Sequence, residues 1–153
     1  MAQRKTIIKF VAGIIIFSVL FMFFMFVKDI VANEYNLFLF EKEIDKHEHP
    51  RDSQLIERIS LIGNFAPASN RCDFVVAEIR ESELPINDIH NFYALRGDAL
   101  TIVSNDQHDM ENFKKQYGEL YERVFDIAKD NLNAYLVIAT DVHYKRNNDI
   151  RCH

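Results

Sequence analysis

The chain has 153 residues, 48% of them hydrophobic and 27% charged, with a formal net charge of −5, two cysteines and no tryptophan. That length leaves room for one domain and one membrane anchor but not for two domains. The charge offers no basic footprint for releasing counterions from nucleic acid, so a nucleic-acid partner is excluded.

Residues 10–27 form a run of 18 uncharged, almost wholly apolar positions, extendable to Ile7 if Lys9 snorkels. At about 1.5 Å per residue, residues 7–28 span roughly the 30 Å of a bilayer core. A cleaved secretory signal has a shorter apolar region followed by small residues. Here the exit is bulky, through Phe23, Phe24 and Phe26, which favours an uncleaved anchor. Arg4, Lys5 and Lys9 precede the run, and all 23 acidic residues follow Lys28. The positive-inside rule then keeps residues 1–6 in the cytoplasm and exports the rest across the cell (inner) membrane as a single-pass protein. The exported part has 14 basic against 23 acidic residues, a net charge of about −9, which suits solubility rather than attraction to anionic lipid.

Residues 29–52 read as a juxtamembrane connector. Within it, Leu37, Phe38, Leu39 and Phe40 fit either a first strand or an interfacial continuation of the anchor helix. Residues 41–50 are a solvated connector or exposed helix end, closed by Pro50.

Residues 53–153 read as the extracytoplasmic domain. Leu55, Ile56, Ile59 and Ile62 fit a short helix capped by Asp52 or Ser53 and ended by Gly63. Residues 63–71 are turn-rich. Residues 72–80 alternate as a strand, with Phe74, Val76, Glu78 and Arg80 on one side. Residues 84–95 suit a short helix with Pro85 in its first turn, and residues 99–104 a buried strand. Met110, Phe113, Tyr117, Leu120, Tyr121, Val124, Ile127 and Ala128 recur at steps of three and four. They predict one amphipathic helix over 107–131, with Ser104, Asn105 and Asp106 as caps. Residues 132–142 are apolar on both faces, as an inner strand would be. The order implies an α+β domain, a sheet of three or four strands packed against one long amphipathic helix.

Export changes the meaning of Cys72 and Cys152. Two thiols in an oxidising compartment are expected to pair. Closing the intervening 80-residue loop is worth about 4.5 kcal/mol in the chain-entropy picture.

Candidate chemistry is sparse. His47 and His49 point the same way in an extended chain, and Glu43, Asp45 and Glu48 are near enough in sequence to complete a metal shell. The terminal Cys152-His153 pair, with His143 and Asp149, is a second such set, incompatible with a bridged Cys152. Cys72 next to Asp73, with His90 as base, would make a thiol enzyme, and Glu78 with Glu81 an acid–base pair. Serine-hydrolase, zinc-protease and phosphate-loop patterns are absent, and no cofactor is expected. Asn64, Phe65, Asn70 and Arg71 make residues 63–71 a candidate recognition loop. The expectation is a non-enzymatic module held by the lipid bilayer through its anchor and binding a protein or envelope component. A metal-binding protein and a thiol or carboxylate enzyme are the alternatives.

Overall fold

The computed structural model describes residues 2–65, 72–95, 100–129, 131, 133–141 and 152. The first element is a single helix, α1 (Ala2–Ile44). No proline interrupts the chain before Pro50, and Gly13 is the only glycine ahead of Gly63. Nothing therefore breaks the hydrogen-bond ladder, and α1 rises about 64 Å. It is long and apolar enough to span a membrane. The segment 37–40, readable as strand or helix, is helix. The apolar helix thus continues into the domain without a joint, because Asn33, Leu37, Phe40 and Ile44, at steps of four, three and four, are buried on the domain side.

Four strands follow, β1 (Gln54–Gly63), β2 (Asp73–Glu81), β3 (Leu100–Ser104) and β4 (Ala134–Asp141), in the order β1-β2-β4-β3 with every pair antiparallel. The inner position expected for residues 132–142 is found in β4. β1 replaces the helix expected over residues 53–62. The helical spacing of Leu55, Ile56, Ile59 and Ile62 was misleading because the register shifts between Leu55 and Glu57. Beyond that bulge the chain alternates as a strand, with Ile59 and Leu61 towards one face and Arg58, Ser60 and Ile62 towards the other. Its isoleucines are β-branched and suit the pleat.

Both sheet faces are covered. On one, Ile59, Val75, Ala77, Ile79, Leu136 and Ile138 pack against α3 (Gln107–Gln116) and α4 (Gly118–Ala128). The single long helix expected there is interrupted. Tyr117 leaves helical geometry with φ −130° and ψ 49°, Gly118 follows, and α4 starts afresh. The break still lets Met110 and Phe113 of α3 and Leu120 and Val124 of α4 reach the same core. Asp106 caps α3 as expected, accepting from Asp109 N at 2.9 Å. Asn105 donates to the last carbonyl of α4, Ala128 O at 2.9 Å, and to Asn131 O beyond it at 3.0 Å.

The opposite face is covered by the end of α1, where Leu37, Phe40 and Ile44 meet Phe74, Val76 and Ala139. Beside it lies α2 (Ile86–Ala94), whose Ile89 and Tyr93 pack on Tyr135 and Val137. The arrangement is α+β, and the layer missing from the sequence-based picture is the one the end of α1 supplies.

Candidate functional site: a buried charge network at the helix end

After Ile44 the chain turns, and residues 45–53 run over the sheet face that carries Arg58, Glu78 and Arg80. Strand alternation puts these three side chains on one side of β1 and β2, and Arg58 and Glu78 are register partners. Glu78 is fully buried. A carboxylate there must be paired or neutralised. Its Oε1 accepts from Arg58 Nε at 3.1 Å and Nη2 at 2.5 Å, and its Oε2 from Arg80 Nη1 at 2.8 Å.

The connector closes the network from above. Arg58 Nη1 donates to Asp45 Oδ1 at 2.7 Å, and Arg80 Nε to Ser53 Oγ at 2.8 Å. Ser53 Oγ lies 2.7 Å from the Tyr135 hydroxyl. His49 sits between Tyr93 and Glu78, its Nδ1 2.7 Å from the Tyr93 hydroxyl and its Nε2 3.4 Å from Glu78 Oε2.

Burial, helped by Arg80 and opposed by Glu78, holds His49 below the ordinary histidine range. Burial also pushes the Tyr93 phenol up, reinforced by the Tyr135 hydroxyl. For Arg58 burial works against the charge, but the hydrogen bonds to Glu78 and Asp45 outweigh it and the guanidinium is raised. The hydrogen bonds from Arg58 and Lys42 lower Asp45. Two guanidiniums therefore face two carboxylates, and the set is formally neutral. The arrangement is a clamp between the end of α1 and the sheet.

Several residues singled out from the sequence lie elsewhere or serve otherwise. Both ring nitrogens of His49 are engaged within the network, and among the described residues no three His, Cys, Asp or Glu side chains are placed to hold a metal ion. Glu78 belongs to this network while Glu81 accepts from Asn131 Nδ2 at 2.6 Å, so the two carboxylates sit in separate hydrogen-bonded settings. The sulfurs of Cys72 and Cys152 stand 2.06 Å apart, at disulfide distance, which removes the thiol that catalysis or a terminal Cys-His metal set would need. His90 is exposed on α2. Phe65 does not project as a recognition side chain. Its backbone N donates to Asp73 Oδ2 at 3.1 Å and its ring lies over Gly63 and 6.1 Å from the Tyr117 ring. Asn64 is exposed, whereas Asn70, Arg71, His143, Asp149 and His153 lie outside the described residues.

Sequence reasoning missed the network. The available signal was Glu78 and Arg80 two apart on a strand otherwise apolar on that side.

Among the described residues, two clefts lie at the far end of the sheet. An open cleft of about 380 Å³ is lined by Asp52, Gln54, Glu81, Ser82, Glu83 and Asn133. A second cleft shares Ser82, Glu83 and Asn133 and reaches Asp106. Ser82 Oγ joins the walls, donating to Asp52 Oδ2 at 3.0 Å and accepting from Leu84 N at 3.1 Å. Asn33 Nδ2 lies 3.9 Å from Cys72 Sγ at the other end of β2. The end carrying Cys72 and Gly63 is therefore beside the start of the packed part of α1, and the clefts are at the end away from it. Compared with known proteins, the chain matches no family model, no curated protein and no solved structure.

Proposed function

We propose that this chain is a membrane-anchored extracytoplasmic interaction module, which holds a rigid α+β domain upright on its anchor and binds a protein or envelope component through the end of the sheet away from the bilayer. The observation that carries this reading is the jointless passage from α1 into the domain, clamped by Arg58, Glu78 and Arg80. A clamped domain has a fixed orientation, and the clefts lined by Asp52, Glu81 and Glu83 then point away from the lipid. Such a surface favours a partner with basic or hydrogen-bonding groups.

The basic residues Arg4, Lys5 and Lys9 support a cytoplasmic amino terminus in the inner membrane. Cysteines at disulfide distance support an oxidising compartment for the domain. A reporter fused after His153 would be active only outside the cytosol, and activity only in the cytosol overturns that topology.

The interaction is tested with full-length protein in native membranes carrying a photo-reactive amino acid at Gln54 or Glu83. Irradiation is expected to attach one defined heterologous component at both positions. Its absence at both overturns the reading.

A further inference from the structure

A circuit of polar groups runs from Arg80 through the connector, β4 and α2 back to Glu78. Arg80 Nε donates to Ser53 Oγ at 2.8 Å, Ser53 Oγ meets the Tyr135 hydroxyl at 2.7 Å, and the Tyr135 hydroxyl is hydrogen-bonded to that of Tyr93. The Tyr93 hydroxyl meets His49 Nδ1 at 2.7 Å, and His49 Nε2 faces Glu78 Oε2 at 3.4 Å. The two ends fix every proton between them, because a guanidinium only donates and a carboxylate only accepts. Facing Glu78, Nε2 carries the imidazole proton, which leaves Nδ1 to accept from Tyr93. Tyr93 then accepts from Tyr135, Tyr135 from Ser53, and Ser53 from Arg80.

We propose that His49 is an acid-sensitive latch, whose second proton breaks this circuit and lets residues 45–53 lift from the sheet while the strands stay paired. The circuit has a place for one proton on the imidazole. A second, on Nδ1, meets the Tyr93 hydrogen head-on. Turning that hydrogen back to Tyr135, and that of Tyr135 back to Ser53, displaces the Ser53 hydrogen, since Ser53 Oγ already accepts from Arg80. The added charge is also badly placed. It faces Arg80 from β2 and Arg58 from β1, with His47 beside it on the connector and the Tyr93 phenol across from it on α2. Glu78 opposes these cations, but its two oxygens already hold both guanidiniums.

The connector also reaches the distal cleft. Asp52, next to Ser53 in the chain, accepts from Ser82 Oγ at 3.0 Å and walls that cleft. Lifting the connector therefore takes a carboxylate away from it. As control of the cleft the latch rests on the proposed function, but as a motion of the connector it does not. Its test reads no partner, so failed cross-linking from Gln54 and Glu83 leaves it standing.

The test uses full-length protein in lipid nanodiscs at pH 7.5 and 5.5. Nitrogen-15 NMR of the imidazoles is expected to show His49 at the higher pH with Nε2 protonated and Nδ1 bare, and the opposite tautomer overturns the circuit. Hydrogen exchange reads the Ser53 amide, which donates to Pro50 O at 2.9 Å. Its protection is expected to lie below that of β2 and β4 at both pH values. At pH 5.5 it is expected to fall by about three- to tenfold, ten being the most that one proton taken up below 6.5 gives over that interval. His49→Gln keeps a donor and an acceptor but does not titrate, so it is expected to abolish the fall, whereas His47→Gln retains it. A Ser53 amide as protected as the strands, no fall in wild type, or the same fall in His49→Gln overturns the latch. Should His49→Gln fail to fold, Tyr93→Phe decides. With no hydroxyl donating to Nδ1, His49 is expected to protonate at a higher pH, and an unmoved NMR midpoint overturns the latch.

Discussion

Arg58 grips Glu78 through two of its nitrogens on a single oxygen, Nε at 3.1 Å and Nη2 at 2.5 Å on Oε1, across the β1–β2 register. The other oxygen is left to Arg80. Glu78 is thus the shared counter-ion of two guanidiniums, and its loss takes a buried carboxylate from both, leaving Arg58 with Asp45. Glu78→Ala is expected to destabilise the domain by about 3–5 kcal/mol, the cost of breaking a buried pair from one side. Denaturant unfolding of the full-length protein in detergent measures it. A loss under about 1 kcal/mol would show that water replaces the carboxylate without penalty.

His49 gives the network a dependence on pH. Burial depresses its folded-state pKa below the unfolded value of 6.5, so above that value both states are neutral and stability is level. As the pH falls through 6.5 the unfolded chain takes up a proton that the folded chain refuses, and stability drops until the depressed folded pKa is reached. His49→Gln is expected to flatten that decline relative to wild type. Urea midpoints at pH 7.5 and 5.5 decide it, and parallel declines in both proteins would remove His49 as the cause.

The Cys72–Cys152 bridge closes 80 positions of chain. Replacing both cysteines by serine is expected to cost up to about 4.5 kcal/mol in the loop-entropy account. Unfolding of the double variant beside wild type, with and without reductant, checks this. Reductant should lower the midpoint of wild type only.

Gly63 and Phe65 form a second testable pair. A Cβ at position 63 would stand 2.8 Å from the Phe65 ring, which also rests near Tyr117. Gly63→Ala is expected to cost about 1–3 kcal/mol, as overpacking does. Phe65→Ala in the same chain should recover part of that loss, a coupling that a double-mutant cycle reads directly. Gly118 is the contrast, since a Cβ there meets nothing within 4 Å. Gly118→Ala should be neutral or stabilise by up to about 1 kcal/mol.

The sequence announced most clearly the elements whose period is long and unbroken. The long apolar helix, the stripe from Met110 to Ala128 and the inner strand around Val137 are all found. β1 was hidden because one extra residue near Ile56 shifted the alternation and left a helical spacing behind. The division of the long helix at Tyr117 was hidden because its apolar stripe resumes in phase on the other side, with Gly118 as the only cue. The extension of α1 to Ile44 depended on a partner. Asn33, Leu37, Phe40 and Ile44 make a stripe whose meaning comes only from Phe74 and Val76 across from it. The charge network was illegible for the same reason. Arg58, Glu78 and His49 are far apart in the chain, and their types alone suit solvent better than a core.

The unbroken passage of α1 from its apolar run to the sheet denies the domain a heading of its own. With α1 spanning the lipid, the 17 residues from Lys28 to Ile44 form a stiff mast about 25 Å tall. A lean of about 20°, ordinary for a spanning helix, carries the top of that mast about 9 Å sideways and rotates every strand by the same angle. Bilayer thickness would in this way be written directly into the direction in which Asp52 and Glu83 face.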